Sequence, residues 1–133
     1  MRTHLHQHPD VFVFGSNLAG LHYSGAAKYA MDNCFAVMGI GEGRMGYSYA
    51  LPTCDRPGNP LPLPEVHKAV NRFLAYAEMH PTIEFFVTRV GCGIAGFTDD
   101  QIGPMFVKDA YFRPNVVLPP EWDIYRETGA PWA

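Results

Sequence analysis

The sequence predicts one α/β domain, a sandwich built on a largely parallel or mixed sheet. Short apolar runs alternate with helical patterns in the order strand, helix, strand, helix, strand, helix, strand. Glycine-bearing loops follow two of the strand ends, where open α/β sheets collect ligands. At 133 residues, 47% hydrophobic and 17% charged, the chain is long and apolar enough for a single core.

The first element is "DVFVFG" (10–15), an apolar run ending at glycine, which reads as a buried strand. After the polar loop "SNLAGLHYSG", "SGAAKYAMDNCF" (24–35) reads as a helix with Ser24 at its N-cap. Its small residues Gly25, Ala26 and Ala27 let the first turn approach a neighbour closely. "GIGEGRMG" (39–46) carries four glycines and is expected to hold little regular structure. "YSYALP" (47–52) reads as a second strand stopped by Pro52, and "TCDRPGNPLPLP" (53–64) as a long proline-rich connection.

The clearest helix is 64–81. Val66, Ala69, Val70, Phe73, Leu74 and Ala77 form one apolar stripe, with Pro64 in the first turn and Pro81 past the end. "TIEFFVT" (82–88) is a third strand. Thr98 and Gln101 have capping-box spacing for a helix over 99–110, in which Pro104 is expected to cause a kink or a late start. "NVVLP" (115–119) is a fourth strand, and Trp122 and Trp132 are expected to pack the tail against the domain. Residues 1–9 are expected as a flexible tail and 10–133 as the domain.

Composition narrows the function. A net charge of −3 without a Lys/Arg run argues against nonspecific nucleic-acid binding. No apolar stretch approaches the roughly 20 residues that span a bilayer. Residues 1–10 lack the apolar region of a signal peptide. Cys34, Cys54 and Cys92 are an odd set without CxxC spacing, so no disulfide framework is expected and a reducing, cytoplasmic setting fits. His4, His6 and His8 admit a metal site or a frayed polar tail, and the tail is the reading taken.

Candidate chemistry lies in two loops. In "RVGCGIAGF" (89–97), Gly91, Gly93 and Gly96 either supply tight turns or let successive N–H groups wrap a diphosphate, with Phe97 closing over it. "GSNLAGLHYSGAAK" (15–28) either packs a helix on the sheet or forms the second pocket wall; Asn17 caps its own turn or binds a ribose hydroxyl. Helix N-termini beside these loops favour an anion such as phosphate. Cys92 reads as a small filler, and Asp55 beside Cys54 disfavours that thiol as a nucleophile. Asp99 and Asp100 are either dipole-favoured caps or a general base at the pocket mouth. No Walker A pattern occurs.

Two segments in order, "VFVFGSNLAGLHYSGAAKYA" and "FFVTRVGCGIAGFTDDQIGPMF", resemble the macrodomain family of ADP-ribose-binding modules, with "YALPT" at the place of its central strand. The likeness is greatest to the branch holding the terminal ADP-ribose protein glycohydrolase and the antitoxin that removes ADP-ribose from DNA. The resemblance implies a three-layer α/β/α sandwich with a mixed, largely parallel sheet. It also implies ADP-ribose, or a related NAD-derived nucleotide, as ligand. Gly15, Ser16, Asn17, Ser24, Gly25, Ala26, Thr53 and the run Gly91, Cys92, Gly93, Ile94, Ala95, Gly96 and Phe97 would form its site. That branch has a lysine after the central strand, where this chain has Cys54 after Thr53; it places an aspartate just after the first strand, and "VFVFGSN" has none before Asn17. Asp99 or Asp100 would be the acidic partner.

Three functions follow from the resemblance. The first is binding with removal of ADP-ribose from a protein or nucleic acid, using Asp99, Asp100 and Cys54. The second is a non-catalytic reader, and the third an interaction domain with a vestigial pocket. No metal, cofactor or membrane partner is implied.

Overall fold

A computed structural model describes residues 10–110 and 113–128. It is α/β, with a six-stranded mixed sheet and four helices among the described residues. The strands are β1 (Asp10–Asn17), β2 (Gly43–Met45), β3 (Ser48–Arg56), β4 (Asn59–Pro60), β5 (Glu84–Val87) and β6 (Val116–Val117). The helices are α1 (Gly25–Asn33), α2 (Leu63–Glu78), α3 (Asp99–Ala110) and α4 (Asp123–Thr128), the last preceded by a 3-10 turn at Pro120–Trp122. The sheet order is β2-β3-β1-β5-β6. β1 runs parallel to β3 and β5, and β5 to β6, while β2 and β4 pair antiparallel with β3.

Alternation along β1 divides the molecule into layers. Val11 and Val13 point into the main core with the buried stripe of α2 and with Ile102 and Phe106 of α3. Phe14 points the other way, into a smaller cluster with Ala30 of α1, Met45 and Ala50. One helix therefore covers one sheet face, and two cover the other. Phe73 sits at the centre of the larger core, fully buried, its ring 5.0 Å from Tyr49, 5.5 Å from Phe85 and 6.2 Å from Phe106.

Local chemistry explains where the elements depart from expectation. β3 is not stopped by Pro52 but runs on to Arg56 and turns back through Gly58 into β4. Pro52 is tolerated because the β1–β3 register slips beside it: Ser16 pairs with Pro52 and Asn17 with Cys54. The stretch expected as a long loop is thus partly a hairpin, and Thr53 and Cys54 are buried strand residues. β2 lies within the glycine-rich 39–46 segment. α3 starts at Asp99 and passes through Pro104; it does not start late. Trp122 is fully buried, stacked 5.1 Å from Phe106. Trp132, the three N-terminal histidines and the expected 1–9 tail lie outside the described residues. Among the described residues no helix is long and apolar enough to cross a membrane.

Replacing Phe73 with alanine should cost about 3–5 kcal/mol in denaturant unfolding, by lost transfer free energy and the cavity left behind. Ile94, 68% exposed, should tolerate the same change within about 0.5 kcal/mol. Similar losses at both positions would contradict this placement of the core.

Candidate functional site

Because β1, β3 and β5 are parallel, their carboxyl ends share one edge of the sheet. The chain reaches β3 on one side of β1 and then crosses through α2 to β5 on the other, so β1 is a switch point where a crevice opens. A cavity of about 250 Å³ occupies that place. Its walls are Gly15 of β1, Thr53 of β3, the run 88–91 after β5, Gly93 to Ala95, and Ser24 to Ala27 at the start of α1. A side pocket of about 60 Å³ adjoins it, sharing Gly15, Ser24, Ala27, Thr53 and Ile94 and adding Ser16, Asn17, Tyr23 and Cys54 among others.

The glycines of the loop have different reasons. A β-carbon at Gly15 would lie 3.2 Å from the Gly91 nitrogen, so two bare backbones cross there. Gly91 adopts φ +78, and a β-carbon on it would stand 3.2 Å from the Phe97 ring. These two positions are required by packing. A β-carbon at Gly93 would meet no atom within 4 Å. Its bareness keeps space open and serves no internal contact.

Backbone donors surround that space. Within the loop, Cys92 N donates to Arg89 O at 3.1 Å, Gly96 N to Gly93 O at 3.0 Å and Phe97 N to Gly91 O at 2.9 Å. The amides of Gly91, Gly93, Ile94 and Ala95 find no acceptor among the described residues. On the facing wall, the Ser24 hydroxyl does not cap α1, and Lys28 N, bonded to Ser24 O at 3.3 Å, is the first helical amide to be paired. The Gly25, Ala26 and Ala27 amides are therefore open, as at any uncapped helix start. α3 differs: Gln101 N donates to Thr98 Oγ1 at 3.3 Å and Thr98 N to Gln101 Oε1 at 3.0 Å, closing a capping box. Residues with unpaired N–H groups thus line one cavity from two sides, and the start of α1 adds partial positive charge there.

Arg89 is the one charged side chain among the residues around either cavity. Its Nε and Nη2 donate to Asp99 Oδ1 and Oδ2 at 3.0 and 2.6 Å. Asp99 also accepts from Trp122 Nε1 at 2.7 Å. Arg89 first, then the indole, holds the Asp99 carboxyl down at about 2.

Of the residues expected at the site, Gly15, Ser24, Gly25, Ala26, Thr53, Gly91, Gly93, Ile94 and Ala95 line the main cavity. Ser16, Asn17 and Cys54 line the side pocket. Asn17 takes up its turn: Nδ2 donates to Leu21 O at 2.8 Å and Oδ1 accepts from Leu21 N at 3.0 Å. The Ser16 hydroxyl donates to Gly41 O. Cys54 is 2% exposed, and burial pushes its thiol pKa up. Cys92 and Phe97 turn from the cavity and pack against the main core, and burial raises the Cys92 thiol to about 11. Phe97 therefore lies beneath the loop and does not close over the cavity. Gly96, Asp99 and Asp100 are outside both linings, and Asp100 Oδ1 accepts from the Tyr125 hydroxyl at 2.6 Å.

Sequence reasoning missed Arg89, although it opens the "RVGCGIAGF" run, because its partner Asp99 lies ten residues on. It also missed His22, 1% exposed, whose Nε2 lies 3.0 Å from Ile40 O and ties the loop before α1 to the 39–41 segment. A histidine in a polar loop carries no signal that it is buried.

The Asp99 pair makes a pH prediction. Its folded pKa of about 2 lies below the unfolded value near 3.8, so its stabilisation is complete above the unfolded pKa. It is lost as pH falls through the folded value. The stability gap between wild type and Asp99→Asn should stay constant from about pH 5 to 7 and narrow from about pH 4 to 2. An undiminished gap at about pH 2, by denaturant unfolding, would contradict the pairing.

Compared with protein-family models, curated proteins and solved structures, the chain has no match.

Proposed function

We propose that this chain is a macrodomain-like module that binds ADP-ribose or a related NAD-derived nucleotide, with the diphosphate between the start of α1 and the 91–95 loop. The observation carrying this reading is that residues with unpaired backbone amides stand on two walls of one cavity that no acidic side chain lines. An anion replaces the water those N–H groups would otherwise bond, and preorganised dipoles hold it without reorganisation. The resemblance of residues 11–30 and 85–106 to macrodomain segments supports a nucleotide as the source of the diphosphate. At about 250 Å³ the cavity is below the roughly 300–1,000 Å³ of sites that enclose whole drug-sized ligands. It fits a diphosphate with an adjoining sugar, and the base would lie outside.

Binding without turnover is the form the observations favour. The candidate base, Asp99, is held at about 2 by its ion pair and stands outside the cavity. The candidate nucleophile, Cys54, is buried with a raised thiol pKa. Removal of ADP-ribose from a protein or nucleic acid would require a base that the described residues do not place at the reacting carbon.

Titration with ADP-ribose tests this. The ligand should raise the melting temperature, and Gly93→Val should abolish that rise while the free variant melts with the wild type, because its side chain projects into open space. No shift in the wild type at about millimolar ligand would end the nucleotide reading. Release of ADP-ribose from a modified substrate would overturn its non-catalytic form.

A further inference from the structure

Asp99 stands where three parts of the chain meet. Oδ1 accepts from Arg89 Nε at 3.0 Å and Trp122 Nε1 at 2.7 Å, with the Cys92 thiol 3.6 Å away, and Oδ2 accepts from Arg89 Nη2 at 2.6 Å. Arg89 and Cys92 bracket Gly91, and the Cys92 amide closes on Arg89 O at 3.1 Å. One carboxylate therefore grips both ends of the turn that opens the cavity loop.

The Trp122 side of this junction is equally constrained. The indole is fully buried against Phe106, and its N–H is bonded to the carboxylate oxygen that also receives Arg89 Nε. Three residues on, the Tyr125 hydroxyl donates to Asp100 at 2.6 Å. The Tyr125 ring lies so close to α3 that a β-carbon on Gly103 would be 2.6 Å from it. The segment 119–128 is thus fastened to the first turns of α3, and through Asp99 to the loop.

A shared acceptor has a consequence that packing alone lacks. Arg89 and Trp122 approach one oxygen from different segments, so a shift in either changes the geometry available to the other. Arg89 is also the one charged side chain at the cavity, and its counter-ion is the group that the C-terminal segment holds.

We propose that Asp99 is a positioning residue through which segment 119–128 sets the geometry of the anion-binding loop, so that ligand binding and docking of this segment are coupled. The proposal rests on the nucleotide-binding reading for its ligand and on the junction itself for its mechanism.

Hydrogen exchange on the full chain, with and without ADP-ribose, tests it. Coupling is reciprocal, so ADP-ribose should slow exchange of the 121–128 amides about fivefold in the wild type, although these residues line neither cavity. Trp122→Phe keeps an aromatic ring against Phe106 and the Arg89–Asp99 pair, and removes one N–H. It should weaken ADP-ribose binding about fivefold and, at equal occupancy, abolish the slowing at 121–128. A purely structural role for the indole would lower stability without changing that response. Wild type that binds ADP-ribose with unchanged 121–128 exchange overturns the proposal. If the wild type does not bind ADP-ribose, the nucleotide reading fails, and the free protein decides the tether. Exchange at 91–97 about fivefold faster in Trp122→Phe and in Asp99→Asn than in wild type sustains it, and equal rates overturn it.

Discussion

At the carboxyl end of β1 the chain crosses itself with almost nothing between. A β-carbon at Gly15 would lie 3.2 Å from the Gly91 nitrogen and 3.6 Å from Thr53 Oγ1. The approach is fixed from both sides. Thr88, just past β5, donates its amide and hydroxyl to Val13 O at 3.1 and 2.8 Å, and Thr53 Oγ1 reaches Ser16 O at 3.4 Å. The ends of three strands are thereby tied together. The chain folds back over β1, and Gly91, in a left-handed conformation, makes that reversal. The cavity exists because this return passes in front of α1 and does not fill the space before it.

The electrostatics of the cavity follow from which groups are already committed. Arg89 and Asp99 satisfy one another, Asp100 serves Tyr125, and Asn17 closes its own turn. What remains uncommitted is chiefly backbone, the open start of α1 and the amides of the loop, with the Ser24 hydroxyl beside them. Neutral dipoles held by a rigid fold select an anion by shape and direction more than by net charge. The same commitments hold the Asp99 carboxyl at about 2 beside Arg89 and leave the Cys54 thiol buried on β3.

Much of this was legible because it is local. The stripe of α2 needs only a period of 3.6, and every residue assigned to it is buried. The capping box of α3 needs two residues three apart, and both of its hydrogen bonds form. Of the three loop glycines, Gly91 and Gly93 line the cavity and Gly96 does not. What escaped depends on distant partners. Pro52 does not end β3, because a bulge against β1 absorbs the missing donor, and nothing near Pro52 announces that bulge. Phe97 adjoins the glycines and closes over the ligand in one of the loop's two readings, yet the core beneath the loop takes its ring. Asp99 stands in the first turn of α3, where the helix dipole favours an acid, but its bonds from Arg89 and from Trp122, far along the chain, have no local signal.

The central claim is that two backbone walls cradle one anion. Amide chemical shifts in a titration with inorganic pyrophosphate test it most directly, since that ligand offers the diphosphate and nothing else. The Gly25, Ala26 and Ala27 amides and those of Gly91, Gly93, Ile94 and Ala95 should move most, along one common saturation curve, while the capped start of α3 stays still. Shifts confined to one wall, spread evenly over the surface, or absent at saturating pyrophosphate would contradict the cradle.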